Sequence, residues 1–218
     1  MRNYIFDLDG TLIDSSEEIL SCIKKAYIMA DCKSDFNKIN SSLIGFPIMQ
    51  IIEKLTPDLK NQKISNEIME NFRSIYDNNE FHKTKLYEGV YETLCYLKTK
   101  NKKLFIATYK PNKPTMKILK KFHLNMFDDI YTVDKFHTQM KKAEMVTNII
   151  NKYNLNKETT ALVGDTISDI DAACQSGIYS IGVSWGFEQD KSSLIKNADY
   201  IINNFKELKD FKYKTKLI

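Results

Sequence analysis

The sequence lacks the cysteine and histidine patterns that mark disulfide-stapled or zinc-binding proteins. Its four cysteines form no CxxC pair, and none has a histidine partner at metal-ligand spacing. The three histidines share no spacing with one another, so no histidine metal site is predicted. We therefore expect reduced and mostly buried thiols in a cytosolic protein, at Cys22, Cys32, Cys95 and Cys174.

Long hydrophobic runs and a strong charge of one sign are also missing. No apolar stretch approaches the roughly 20 residues needed to cross a bilayer, and Asp7 and Asp9 would interrupt the apolar region of a signal peptide. The net charge is +4, from 32 Lys and Arg against 28 Asp and Glu, which is too mild to indicate nucleic acid. We expect a soluble cytoplasmic protein, monomeric or homodimeric, that binds neither nucleic acid nor membrane.

Periodicity along the 218 residues predicts two kinds of structure. Residues 15–86 carry apolar side chains at helical spacing, as at Ile19, Ile23 and Tyr27, which predicts an all-helical unit. From residue 87 onward β-prone runs alternate with helical stretches, which predicts right-handed βαβ crossovers. The fold class is therefore α/β, with a doubly wound parallel sheet (a Rossmann-like core) formed by residues 1–14 and 87–218 and a helical domain, 15–86, inserted into it.

The most informative segment is the opening strand, Tyr4-Ile5-Phe6, which runs into Asp7 and Asp9. Residues at i and i+2 of a strand point to the same side, so the two carboxylates would lie close together. Two such charges repel by about 4 kcal/mol at an effective dielectric of 20, unless a cation lies between them or one is protonated. A calcium-binding EF-hand loop is excluded because Leu12 occupies the position that requires glycine. The alternative is that Asp7 and Asp9 form an acidic turn after an edge strand and have no role in catalysis or metal binding.

Polar residues follow three further segments of the predicted sheet. Thr108 follows the apolar run 104–107, Asp165 and Asp169 follow the strand 161–163, and Lys141-Lys142 opens a helix. Because ligands of open parallel sheets collect at the carboxyl ends of the strands, we expect these groups to form one site.

These segments resemble the motifs of the haloacid dehalogenase superfamily of phosphatases, in particular its phosphoglycolate-phosphatase-like branch with a helical cap. The similarity extends from about Tyr4 to Phe205. DLDGT resembles the first motif, ATYKP the second, Lys142 with Glu144-Met145-Val146 the third, and GDTISD the fourth. Lys142 fits the spacing of the third motif better than the adjacent Lys141, which stays an alternative.

The resemblance implies a role for each matching residue. Asp7 would be the nucleophile that forms an aspartyl-phosphate, and Asp9 the general acid and base. Thr108 would bind a phosphoryl oxygen, and Lys142 would neutralise charge on phosphate and nucleophile. Asp7, Asp165, Asp169 and the backbone carbonyl of Asp9 would hold Mg²⁺.

Four residues are predicted to contact substrate: Thr108, Tyr109, Lys142 and, in the helical unit, Gly45. Tyr109 stands where this branch commonly has a small Ser or Asn, so the pocket on that side is expected to be narrower or differently bonded. The neighbouring Lys110 and Lys113 are interpreted as solvated surface lysines that could at most steer an anionic substrate.

The predicted function is Mg²⁺-dependent hydrolysis of a small phosphorylated metabolite through an aspartyl-phosphate. Phosphoglycolate-like compounds, sugar phosphates and nucleoside monophosphates are the candidate substrates. The helical unit is expected to act as a lid with hinges near Asp14 and Tyr87, which would exclude macromolecular phosphates. A phosphosugar mutase of the same fold and a catalytically silent ligand-binding member stay as alternatives, whereas a dehalogenase is disfavoured by the acid/base group at Asp9.

Overall fold

A computed structural model describes residues 1–44, 48–59, 61–135 and 140–213 of the chain. The chain divides into two units, one formed by Met1–Asp14 with Lys85–Ile218 and the other by Ser15–Thr84. The second boundary lies two residues before the one expected from the sequence, because Lys85 and Leu86 form a short strand in the first unit. Gly45, a predicted substrate-binding residue, lies outside the described residues.

The first unit is built on a six-stranded sheet in the order β5-β4-β1-β6-β7-β8, and every neighbouring pair is parallel. Its strands are β1 (Asn3–Phe6), β4 (Lys103–Thr108), β5 (Asp129–Thr132), β6 (Thr160–Gly164), β7 (Tyr179–Val183) and β8 (Tyr200–Ile202). A separate antiparallel pair joins β2 (Ile13–Asp14) to β3 (Lys85–Leu86). Strands β1, β6 and β7 are buried at each residue, which is why they read as continuous apolar runs rather than as alternating patterns.

Helices alternate with the strands of the six-stranded sheet along the chain. They are α4 (Val90–Thr99), α5 (Asn112–Lys121), α6 (Lys142–Tyr153), α7 (Ile167–Ser176) and α8 (Lys191–Asn197), with 3₁₀ turns at Lys157–Thr159 and Phe205–Asp210. One buried cluster holds α6 and α7 against the sheet, with Ile5 and Phe105 from the strands meeting Met145, Ile149 and Ala173. This packing fixes where α6 and α7 begin, and both helices carry polar residues in their first turn.

The regular structure of the second unit is helical in its described residues, and loops connect the helices. It contains α1 (Ser16–Met29), α2 (Ile48–Leu55) and α3 (Gln62–Asn78), with 3₁₀ turns at Phe36–Lys38 and Ser41–Leu43. Its core gathers one apolar stripe from each helix, including Ile23, Tyr27, Ile52 and Ile68. The predicted fold class, a parallel α/β sheet with an inserted helical unit, is confirmed.

The structure also bears on membrane-spanning helices and on the burial of the four cysteines. Within the described ranges, no helix combines the length and the apolarity that crossing a membrane would require. The prediction of mostly buried thiols is wrong: Cys22 is buried, but Cys32 and Cys95 are half-buried and Cys174 is exposed on α7.

Candidate active site at the carboxyl edge of the sheet

Three adjacent strands deliver polar groups to one edge of the sheet. Asp7 follows β1, Thr108 ends β4, and Asp165 follows β6. Strands β4 and β6 flank β1 in parallel register, and the Asp7 N–H donates to the carbonyl of Val163 at 2.9 Å. The strand order reverses at β1, where open α/β sheets form their ligand-binding crevice.

Lys142, the first residue of α6, reaches into this edge. Its Nζ lies 2.7 Å from a carboxylate oxygen of Asp7 and 2.6 Å from one of Asp169, and the side chain is buried. The neighbouring Lys141 is exposed. Of the two lysines considered from the sequence, Lys142 is therefore the one in contact with the aspartates.

Asp7, Asp165 and Asp169 form a buried cluster in which one carboxylate oxygen of each lies within 4.8 Å of the others. Burial, reinforced by the neighbouring carboxylates, raises the pKa of Asp7 to about 7 and that of Asp165 to about 8. Burial opposes the charge of Lys142, but Asp169 and Asp7 outweigh it and raise the pKa of the lysine above its ordinary value.

The donor set of this cluster fits a hard divalent cation. Three carboxylates face a single ammonium group, so the fully ionised cluster is short of positive charge. Carboxylate oxygens are the ligands that Mg²⁺ prefers, and a cation among them would reverse the pKa rises that burial causes. The carboxylate of Asp9 is not a member of this group; its predicted contribution was a backbone carbonyl.

Both oxygens of Asp165 are held by the protein. One accepts a hydrogen bond from the Thr11 hydroxyl at 3.1 Å, and the other accepts one from the Phe187 N–H at 2.7 Å. Gly10 and Gly186 approach the same side chain so closely that a Cβ atom on either would overlap Asp165. Gly10 also has a φ of +81°, a conformation that favours glycine. The loop 10–11 and the loop 186–187 therefore frame this carboxylate.

The two carboxylate oxygens of Asp169 accept hydrogen bonds from two different residues. One accepts from the backbone N–H and the hydroxyl of Thr166, at 3.0 and 2.7 Å, in a reciprocal cap at the start of α7. The other accepts from Lys142. Capping thus fixes the Asp169 side chain in an orientation that directs its second oxygen to the lysine.

The interpretation of Lys110 as a solvated surface lysine is wrong. Its side chain is 3% exposed, and its Nζ lies 2.8 and 3.0 Å from the two carboxylate oxygens of Asp9. The residue type did not distinguish Lys110 from the other lysines. Its place two residues past the end of β4 is the one signal that could have identified it.

Thr108 and Tyr109 complete the end of β4. The buried hydroxyl of Thr108 accepts the N–H of Lys110 at 3.2 Å, which leaves its own hydrogen to donate to another oxygen. Tyr109 is 47% exposed, and its hydroxyl accepts the backbone N–H of Lys142 at 3.1 Å.

Comparison with known proteins adds independent findings. Residues 4–183 match the family model described as haloacid dehalogenase-like hydrolase. The chain is 30% identical to a phosphoglycolate phosphatase from Aquifex aeolicus, over 89% of this chain and 90% of that protein. It is also 30% identical to the pyrophosphatase PpaX from Halalkalibacterium halodurans, over 96% of each chain.

A solved structure shares the whole architecture. A candidate phosphatase from Clostridium difficile, known at 1.7 Å resolution, superposes with a TM-score of 0.85 at 29% identity. The match covers 96% of this chain and 97% of that one, so it includes the sheet and the helical insertion alike.

Proposed function

Because this chain belongs to the haloacid dehalogenase-like hydrolases and is a phosphatase of that superfamily, we propose that it hydrolyses a small phosphomonoester with Mg²⁺. Asp7 is the proposed nucleophile and Asp9 the proposed acid and base. The observation that carries the proposal is the buried contact of Lys142 with both Asp7 and Asp169, inside a cluster of three carboxylates. Burying several charged side chains together lowers the free energy of unfolding, and groups of this kind are concentrated at functional sites.

Asp7, Asp165 and Asp169 would hold the Mg²⁺ ion, with the backbone carbonyl of Asp9 as a further oxygen. When bound, the ion offsets the negative charge of the carboxylates and of the phosphoryl group. Lys142 supplies a second, permanent positive charge beside Asp7. The hydroxyl of Thr108 donates to a phosphoryl oxygen from the neighbouring strand end.

In the first step a carboxylate oxygen of Asp7 attacks phosphorus, and the bond between phosphorus and the alcohol oxygen breaks. The departing oxygen takes the proton of the Asp9 carboxyl group. The product alcohol leaves, and the phosphoryl group stays on Asp7 as an acyl phosphate.

In the second step a water oxygen attacks the same phosphorus atom. Asp9, now a carboxylate, takes a proton from that water. The bond between phosphorus and the Asp7 oxygen breaks, which releases inorganic phosphate and restores both side chains. Lys110 donates to both carboxylate oxygens of Asp9, which supports a fixed place for this group when it is ionised and ready to accept the proton of water.

The substrate class rests on the named relatives. Phosphoglycolate phosphatase and pyrophosphatase both release phosphate from small anions. We therefore propose a small phosphorylated metabolite, with phosphoglycolate, pyrophosphate, nucleoside monophosphates and sugar phosphates as the compounds to test. A cytoplasmic location and the exclusion of macromolecular substrates stay predictions.

The test is a phosphate-release assay across these metabolites, with and without Mg²⁺. Phosphopeptides and oligonucleotides are added to test exclusion by size, and hexose 1-phosphate is followed for conversion to hexose 6-phosphate. Mg²⁺-dependent phosphate release from a small metabolite is expected. Rapid isomerisation with negligible phosphate release would instead establish a mutase, and inactivity on every compound would favour a silent ligand-binding member.

A further inference from the structure

Tyr109 makes two separate contacts with Lys142. Its hydroxyl oxygen accepts the backbone N–H of Lys142 at 3.1 Å, and the Nζ of the same lysine lies 5.1 Å from the centre of the tyrosine ring. The two residues are 33 positions apart and belong to different elements, the end of β4 and the start of α6. One side chain therefore touches both ends of the lysine that faces Asp7.

The start of α6 needs an outside acceptor. The first N–H groups of a helix have no partner within it, and Ser, Thr, Asp or Asn usually supplies an oxygen from the N-cap position. Here the N-cap residue is Lys141, whose side chain has no acceptor atom. Glu144 accepts the N–H of Lys141 at 2.9 Å, but the N–H of Lys142 goes to Tyr109. The tyrosine hydroxyl thus satisfies one of the first N–H groups of α6 from outside the helix.

The position of this helix start determines where the lysine ammonium group lies. The side chain of Lys142 is a flexible four-carbon stem, yet its Nζ meets Asp7 at 2.7 Å and Asp169 at 2.6 Å. A shift of the backbone at Lys142 would lengthen both contacts. The ring of Tyr109, within cation–π distance of Nζ, restricts the ammonium group from a further direction.

We propose that Tyr109 is a positioning residue, which holds the backbone of Lys142 through its hydroxyl and the ammonium group through its ring. The inference rests on the proposed function, in which Lys142 offsets charge on Asp7 and on the phosphoryl group. Because that charge is redistributed in the transition state, loss of positioning lowers kcat more than it raises KM.

Two variants separate the two contacts. Tyr109→Phe removes the hydroxyl and keeps the ring, whereas Tyr109→Leu removes both. Tyr96 on α4 is the matched control, since the Nζ of Lys100 lies 5.3 Å from its ring; Tyr96→Phe and Tyr96→Leu make the same chemical changes outside the site. Each full-length variant is assayed with Mg²⁺ for kcat and KM on p-nitrophenyl phosphate, for affinity for inorganic phosphate by calorimetry, and for melting temperature.

The expected result is a fall in kcat of about three- to tenfold for Tyr109→Phe, which corresponds to the loss of one hydrogen bond. Tyr109→Leu falls further, phosphate affinity weakens in the same order, and the Tyr96 variants keep wild-type kcat and phosphate affinity. Unchanged kcat and phosphate affinity in both Tyr109 variants, with or without a lower melting temperature, would overturn the inference.

Rejection of the role of Tyr109 can be distinguished from rejection of the proposed phosphatase function. A wild-type protein that releases no phosphate from any compound rejects that function, and phosphate affinity across the variants then decides the role of Tyr109 alone. An active wild type with Tyr109 variants of equal kcat and phosphate affinity rejects the positioning role and leaves the phosphatase proposal intact.

Discussion

The Nζ atom of Lys110 lies 2.8 Å from one carboxylate oxygen of Asp9 and 3.0 Å from the other, although 101 positions separate the two residues. The lysine is almost fully buried, and the aspartate is partly open, with 23% of its side chain exposed. A buried cation that meets an accessible carboxylate fixes that carboxylate while leaving it open to reactants. This geometry makes Lys110 a residue whose removal is expected to affect turnover.

Replacing Lys110 by Met is expected to lower kcat about tenfold or more, because Asp9 loses two charge-assisted hydrogen bonds. Lys110→Arg, which keeps the charge, should recover part of the activity. Lys113→Met is the control from the same segment, because Lys113 is exposed. Steady-state kinetics of the three variants check the prediction, and wild-type kcat in folded Lys110→Met protein would contradict it.

Asp7→Asn is expected to abolish turnover, because an amide cannot act as the nucleophile. Its melting temperature should equal or exceed that of the wild type, since one charge leaves a crowded cluster. Asp9→Asn should lose the proton transfers, a factor of about 10²–10⁴ in kcat. The exposed Asp171 offers a neutral control as Asp171→Asn. Substantial activity in Asp7→Asn would exclude the covalent route.

Stability is expected to depend on pH through Asp7 and Asp165. Their pKa values in the folded chain, about 7 and about 8, exceed the unfolded carboxyl value of about 3.9. Without metal, their contribution to the free energy of unfolding is fully present below about pH 4 and is lost as the pH rises through 7 and 8.

Mg²⁺ competes with these protons, so the rise in melting temperature that it causes should be larger at about pH 8 than at about pH 5.5. Thermal denaturation with and without Mg²⁺ at both pH values measures the difference. Asp165→Asn should show a smaller gain at the higher pH. A magnesium effect that is equal at both pH values would argue against ion binding by these carboxylates.

The close approach of Gly10 to Asp165 can be tested by substitution, with Gly177 as the control. Both have a positive φ, of 81° and 70°, so Gly→Ala at either is expected to cost about 1–2 kcal/mol of stability. A Cβ at Gly10 would overlap Asp165, whereas one at Gly177 meets Lys157 at an ordinary 3.6 Å. Calorimetry should therefore show weakened Mg²⁺ affinity in Gly10→Ala and wild-type affinity in Gly177→Ala. Equal affinities in the two variants would show that Gly10 does not shape the site.

The fold could be predicted from the sequence, but only some of the contacts within the site could. Strand ends could be predicted because buried parallel strands leave continuous apolar runs, and Asp7, Thr108 and Asp165 each follow such a run. The Lys110–Asp9 and Tyr109–Lys142 contacts could not be predicted, because both join segments that are far apart in the sequence. The Tyr109–Lys142 contact also depends on where α6 begins relative to β4. Strands β2 and β3, with two residues each, are too short to show any alternation.

The pairing of β2 with β3 determines where the helical unit is inserted into the chain of the first unit. Asp14 and Lys85 stand opposite each other in this pair, so the helical unit starts and ends at neighbouring points of one ladder. In topological terms the whole unit occupies the place of a hairpin's turn. A change in the length of this unit therefore interrupts no strand of the six-stranded sheet. A chain of this topology can therefore vary the size of its helical unit between two fixed points that already pair with each other.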